Sequence, residues 1–146
     1  MIIIGCNAQS FYLKHELIEY LEELKFDYLD VSGFGDEDIY DTSMKVVNEV
    51  LKDRKNHKGI IIDEYGSIPF MIAAKHKYII CAQLNDCHSA KMTRDHNNTN
   101  IITLGYKVIG SDIAKEIVKR FIYGEYAGGR HQIRIDMLDR MGSLWK

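Results

Sequence analysis

The stretch GIIIDEYGSIPFMIAAK at 59–75 decides the fold. Its first four residues are an unbroken apolar run, as in a strand covered on both faces. A polar turn, DEYGS, follows, and then a segment headed by Pro69, a residue suited to a first helical turn. A short buried strand feeding a helix is the repeating unit of a parallel α/β sheet. The same grammar recurs in both directions along the chain. Strands are expected at Ile2–Gly5, Tyr28–Val31, Gly59–Ile62, Tyr78–Ala82 and Asn100–Leu104. Between the first two, Leu17, Ile18, Leu21 and Leu24 form one stripe at helical spacing. A second helix is expected at about 39–53, with Tyr40, Val47, Val50 and Leu51 facing inward before the turn-like DRKNHKG. A third begins near Pro69, and others cover 86–97, 111–122 and 130–142, the last after GEYAGG. The expected architecture is α/β: a Rossmann-like three-layer sandwich around a five-stranded parallel sheet, formed as a single domain over 1–146.

Composition narrows the function classes. Hydrophobic residues at 46% and charged residues at 27% are those of an ordinary globular chain. A formal net charge of −2 disfavours a nucleic-acid surface, which is normally basic. No apolar run approaches the length of a membrane span, and MIIIGC lacks the basic start and long apolar stretch of a secretory signal, so a cytoplasmic protein without a membrane partner is expected. Cys6, Cys81 and Cys87 are odd in number and lack CxxC spacing, which reads as reduced thiols, with Cys6 and Cys81 as small core residues.

Ligands of an open parallel sheet bind beyond the carboxyl ends of its strands, which directs attention to 5–10, 32–38, 63–68 and 83–88. Gly33 and Gly35 give only GxG, with Asp38 where a third glycine would stand, and no Walker loop occurs. Nucleotide cofactors have no support. Near the C-terminus, Arg130 and Arg134 are four residues apart, which on a helix puts both guanidinium groups on one face as an anion clamp, with Gly128–Gly129 allowing a sharp entry. The alternative leaves both arginines solvated or paired with Asp136 or Asp139. His96 and Asn97, in TRDHNNTN, can move a proton and hold an oxyanion. Equally, Asn97 or Asn98 can cap a helix whose dipole His96 faces. Cys87, His88 and His96 lack metal-ligand spacing, so no metal is expected.

With these residues in view, the chain resembles the type-B ribose-5-phosphate isomerase and galactose-6-phosphate isomerase family over nearly its whole length. The resemblance rests on IIIGC at 2–6, DEYGSIPFMIAAK at 63–75, MTRDHNNTNIITLG at 92–105, VIG at 108–110 and YAGGRHQIRIDMLDRM at 126–141. It implies a subunit whose active sites lie between two chains, a C-terminal helix packing on the partner, and a metal-free aldose–ketose isomerisation through an enediol, with no cofactor. His96 would open or orient the sugar ring, Asn97 would stabilise the oxyanion, and Arg130 and Arg134 would hold the phosphate. Lys107 occupies a position where some members place a phosphate-binding arginine. Catalytic members carry CGTG where this chain has DEYG at 63–66, so the proton-moving cysteine is replaced by Asp63 and a threonine by Tyr65. Asn7-Ala8-Gln9-Ser10 and Ser67-Ile68 depart as well, from an aspartate–glycine loop and a glycine-containing stretch. The ending together with DEYG resembles the family's A-type subunits, which implies a B-type partner that supplies the cysteine for interconverting galactose 6-phosphate and tagatose 6-phosphate. A non-catalytic sugar-phosphate-binding subunit is the alternative, and a homomeric isomerase using Asp63 as base is a third.

Overall fold

The computed structural model describes residues 1–141. In chain order the elements are β1 (Ile2–Cys6), α1 (Phe11–Glu23), β2 (Tyr28–Asp30), α2 (Ile39–Lys52), β3 (Lys58–Asp63), α3 (Ser67–Ala74), β4 (Cys81–Gln83), α4 (Cys87–Asn97), β5 (Ile101–Gly105), α5 (Ser111–Tyr123) and α6 (Gln132–Met141). All five strands are parallel, in the order β2-β1-β3-β5-β4. Alternation along the strands sorts side chains between two layers. Ile2, Ile4, Cys6, Ile60, Ile62, Ile102 and Leu104 pack with α1, α4 and α5. Ile3, Ile61 and Ile101 pack with α2 and α3 on the other face. With both faces covered, apolar runs such as III and GIII satisfy both layers at once, and this is the expected three-layer sandwich. Cys6 is fully buried, and Cys81 packs against the second layer, where burial pushes its thiol up. Among the described residues no helix is long and apolar enough to cross a membrane.

Three expectations need correction. The fourth strand is Cys81–Gln83 and not 78–82, because Tyr78 adopts a left-handed backbone (φ 69°) and the Asn100 side chain takes over the local pairing. Its amide donates to the Tyr78 carbonyl (2.9 Å) and accepts from the Ile80 N–H (3.0 Å), standing in for ladder bonds. In α2, Tyr40 points outward, 53% exposed, since it lies in the first turn above the Asp38 cap. The buried stripe is instead Thr42, Ser43, Val46, Val47 and Val50. The C-terminal segment is not one helix from 130. Gly128 and Gly129 both have positive φ (63° and 59°), a 3₁₀ turn spans Gly129–His131, and α6 starts only at Gln132. Residue 142, the expected end of that helix, lies outside the described residues. The third helix starts at Ser67, near Pro69 as expected, with the proline in its first turn.

Candidate functional site

The end of α4 is built from its cap inward. Asp86 accepts from the Ser89 N–H (2.8 Å) to start the helix. Asn98 ends it in the left-handed region (φ 53°), its N–H bonded to the Thr93 carbonyl. Arg94 fastens that cap, donating to Asn98 Oδ1 (2.8 Å), the Thr99 carbonyl (2.9 Å) and the Gly124 carbonyl (3.4 Å). Capping therefore falls to Asn98 and Arg94. The Asn97 side chain is left without a hydrogen bond among the described residues, and His96 stands beside it.

The tail is then brought to His96. The Ala127 N–H donates to the Asp95 carbonyl (2.9 Å), and the double-glycine turn redirects the chain so that the His131 ring stacks on the His96 ring, with centroids 4.3 Å apart and planes inclined by 16°. Side chains cannot readily follow the backbone of Gly128 and Gly129, so this approach depends on glycine. Arg130 sits on the 3₁₀ turn and Arg134 on the first turn of α6, both exposed. Neither pairs with a carboxylate: Asp136 accepts from Gln132 (2.8 Å), and Asp139 faces Arg54 and Lys77. The reading in which aspartates neutralise the arginines is thus not what the tail adopts. Desolvation, then the nearby His96, Arg130 and Arg134, hold the His131 imidazole below its usual range. His96, Arg130, His131 and Arg134 thus lie together at this edge, with Asn97 next to His96 along α4, and among the described residues no carboxylate pairs with either arginine. His131 was not singled out by sequence reasoning, although its place between two arginines in RHQIR was the available signal. Since a proton on His131 is opposed by both arginines, the double variant Arg130→Ala/Arg134→Ala should titrate this histidine at higher pH than the parent chain. Histidine NMR resonances followed from pH 4 to 9 would show it, and an unchanged midpoint would place the arginine heads too far away to matter.

A second group of polar residues lies at the carboxyl end of the sheet. Asp63 ends β3, almost fully buried, and accepts from the Tyr65 (3.2 Å) and Gly66 N–H groups. Burial raises its carboxyl pKa, and the two amides act against that rise. Gln83 ties the same turn through the Tyr65 carbonyl (2.9 Å) and the Ser67 hydroxyl (3.0 Å), while Asn7 accepts from the Ser10 hydroxyl (2.6 Å). Tyr65 and Ile68 stand at the mouth, about half exposed. Lys107 is here too, its ammonium 3.6 Å from Glu64, and is not gathered with Arg130 and Arg134.

The two groups are at opposite edges of the sheet. Helix α4 leaves the carboxyl end of β4 and runs back to the start of β5, and its 11 residues span about 16 Å at 1.5 Å each. One chain thus presents the tail edge with its arginines at one pole and the Asp63–Ser67 turn at the other. Among the described residues no three His, Cys, Asp or Glu side chains group to hold a metal ion.

A profile of the Ribose/Galactose Isomerase family matches residues 2–138. The galactose-6-phosphate isomerase subunit LacA of Enterococcus faecalis is 46% identical over 140 residues, covering 96% of this chain and 98% of that one. The subunit of the same name from Streptococcus pneumoniae is 45% identical over 141 residues, covering 97% and 99%. Among solved structures, ribose-5-phosphate isomerase B of Clostridium thermocellum superposes with a TM-score of 0.93 at 30% identity, covering 99% of both chains. That of Mycoplasma genitalium, solved with bound ribulose 5-phosphate, gives 0.92 at 28% identity over 97% of this chain and 95% of that one. Matched from residue 2 to 138 and similar to its relatives almost end to end, the chain belongs to the Ribose/Galactose Isomerase family.

Proposed function

We propose that this chain is the A subunit of a heteromeric galactose-6-phosphate isomerase, contributing one half of an active site completed by a B-type subunit. The observation that carries this reading is the separation of the two poles. The tail edge has the groups to bind a sugar phosphate, the chain's own crevice has no cysteine base, and the helix between them keeps the two apart. Full-length similarity to curated galactose-6-phosphate isomerase subunits supports the substrate class. Apolar side chains on the exposed side of α6, Ile133, Met137, Leu138 and Met141, support a partner packed against this helix.

In the shared site Arg130 and Arg134 hold the phosphate as paired forks. His96 moves the proton of the anomeric hydroxyl to the ring oxygen as the C1–oxygen bond breaks and the sugar opens. A base on the partner, a cysteine thiolate, removes the proton at C2, the electron pair forms the C1–C2 double bond of the enediol, and the Asn97 amide donates to the oxygen that gains negative charge. The O2 hydroxyl proton passes to O1, the proton taken from C2 returns to C1, and the C2 carbonyl that forms completes the ketose. His131 sets the plane of His96 by stacking.

The roles separate in kinetics of the mixed complex. Arg134→Ala should raise KM by roughly 10- to 100-fold, the size of one lost charge-assisted bond, with kcat nearly unchanged. His96→Gln should lower kcat by about 10²- to 10⁴-fold. Equal losses in both constants for both variants would remove the assigned division of roles.

A further inference from the structure

A pocket of about 300 Å³ lies at the amino-terminal edge of the sheet, between the start of β3, the chain before β4 and the inner side of α6. It is lined by Arg54, Lys55, Lys58 and Arg94, with Asp139 as the one carboxylate. None of these residues belongs to the tail edge or to the carboxyl-end crevice.

Two of the cations, Lys58 and Arg94, are half-buried, and among the described residues their hydrogen bonds go to neutral oxygens, with the Phe121 ring beside Lys58 and Asp95 near Arg94. Lys58 donates to the Ile122 carbonyl at 3.2 Å, and Arg94 donates only to the cap atoms of α4 and to Gly124. Desolvation and the neighbouring Arg94 bring the Lys58 ammonium down to about 8. Arg54 lies over the Tyr78 ring with its guanidinium carbon 3.9 Å from the centroid, which sets it at the rim. Asp139 faces Arg54 and Lys77, so the one carboxylate among these residues is directed at the rim cation and not at Lys58 or Arg94. The amides of Asn98 and Asn100 are engaged with Arg94 and with the 78–80 backbone. Four cations share this concave, partly desolvated space with a single lining carboxylate, and that excess of positive charge favours an anion that enters.

From this geometry we infer an accessory anion site in the Lys58–Arg94–Arg54 pocket, shaped for the phosphate of a small phosphorylated metabolite. A tetrahedral dianion suits cations that come from three directions, β3, α4 and the turn after α2, better than a planar carboxylate does. Arg94 also fastens the cap at the end of α4, so the site adjoins the helix end that carries His96.

The test uses the full chain with Arg130→Ala/Arg134→Ala, which removes the tail's own phosphate contacts, and inorganic phosphate as the probe. Millimolar phosphate should raise the melting temperature of this variant by several degrees above sodium chloride at equal ionic strength. Succinate at the same concentration should stabilise it less. Adding Lys58→Met should abolish the phosphate increment, and Arg54→Gln, a rim change that leaves the interior intact, should weaken phosphate binding at least about five-fold by calorimetry. Stabilisation no greater than that of chloride, equal stabilisation by succinate, or an increment that survives both substitutions would overturn the inference.

Discussion

Purified alone, the chain should turn over galactose 6-phosphate no faster than background, and adding a cysteine-bearing B-type subunit should raise the rate by about 10³-fold or more. That factor is the ordinary worth of a placed general base, before any gain from closing the site. The geometry gives the reason. Asp63 is turned onto the Tyr65 and Gly66 amides, the neighbouring Glu64 faces Lys107, and His96 lies a helix length away at the other pole. On the proposed assignment of roles, two chains meet before phosphate clamp, histidine and base face one sugar. Coupled-enzyme assays on each subunit and on their mixture decide the matter. Turnover by the chain alone that disappears in Asp63→Asn would shift the base to this aspartate. Micromolar binding of galactose 6-phosphate with no activity in any mixture would reduce the chain to a binding subunit.

The second large effect concerns stability. Lys14, on α1, is 1% exposed, with its ammonium 2.7 Å from Asp30 and bonded as well to the Ser32 hydroxyl and the Gly33 carbonyl. This ammonium pins the chain beyond β2, where Asp30 also receives the Ser32 and Gly33 N–H groups. Lys14→Met should lower unfolding stability by about 3 kcal/mol, because it strands the acceptors of a buried pair. At this chain length that corresponds to a fall in Tm of roughly 10 °C. Pairing the change with Asp30→Leu should recover most of the loss, as apolar replacement of both members of a buried pair is often nearly neutral. Calorimetric melts of the two variants check both parts. A single variant as stable as the parent would mean that the ammonium makes no net contribution.

The layered sheet was legible because β1, β3 and β5 are apolar runs and α1, α2 and α5 carry apolar stripes. Errors fell where one residue overrode local pattern. Tyr78 turns left-handed with Asn100 supplying its bonds, and Gly128–Gly129 delays α6 past Arg130. At the site, His96, Asn97 and the arginines were readable as residue types, while their gathering was not, since it depends on the Ala127–Asp95 bond and the His96–His131 stack. Lys14 was invisible from sequence, because a lysine in an amphipathic helix normally faces water. The basic pocket was equally hidden: its cations come from positions 54, 58 and 94, which only the fold brings together.

The antiparallel run of α4 also sets what change the chain can tolerate. A subunit that lends one edge to a neighbour and keeps an unrelated crevice on its far side has two faces open to separate histories. In an assembly of unlike chains, substitutions such as Asp63 and Tyr65 can accumulate on the far side without harming the lent edge, provided a neighbour keeps the reactive loop intact. Specialisation of paired copies is then a short step: each retires one face, and the two become mutually dependent.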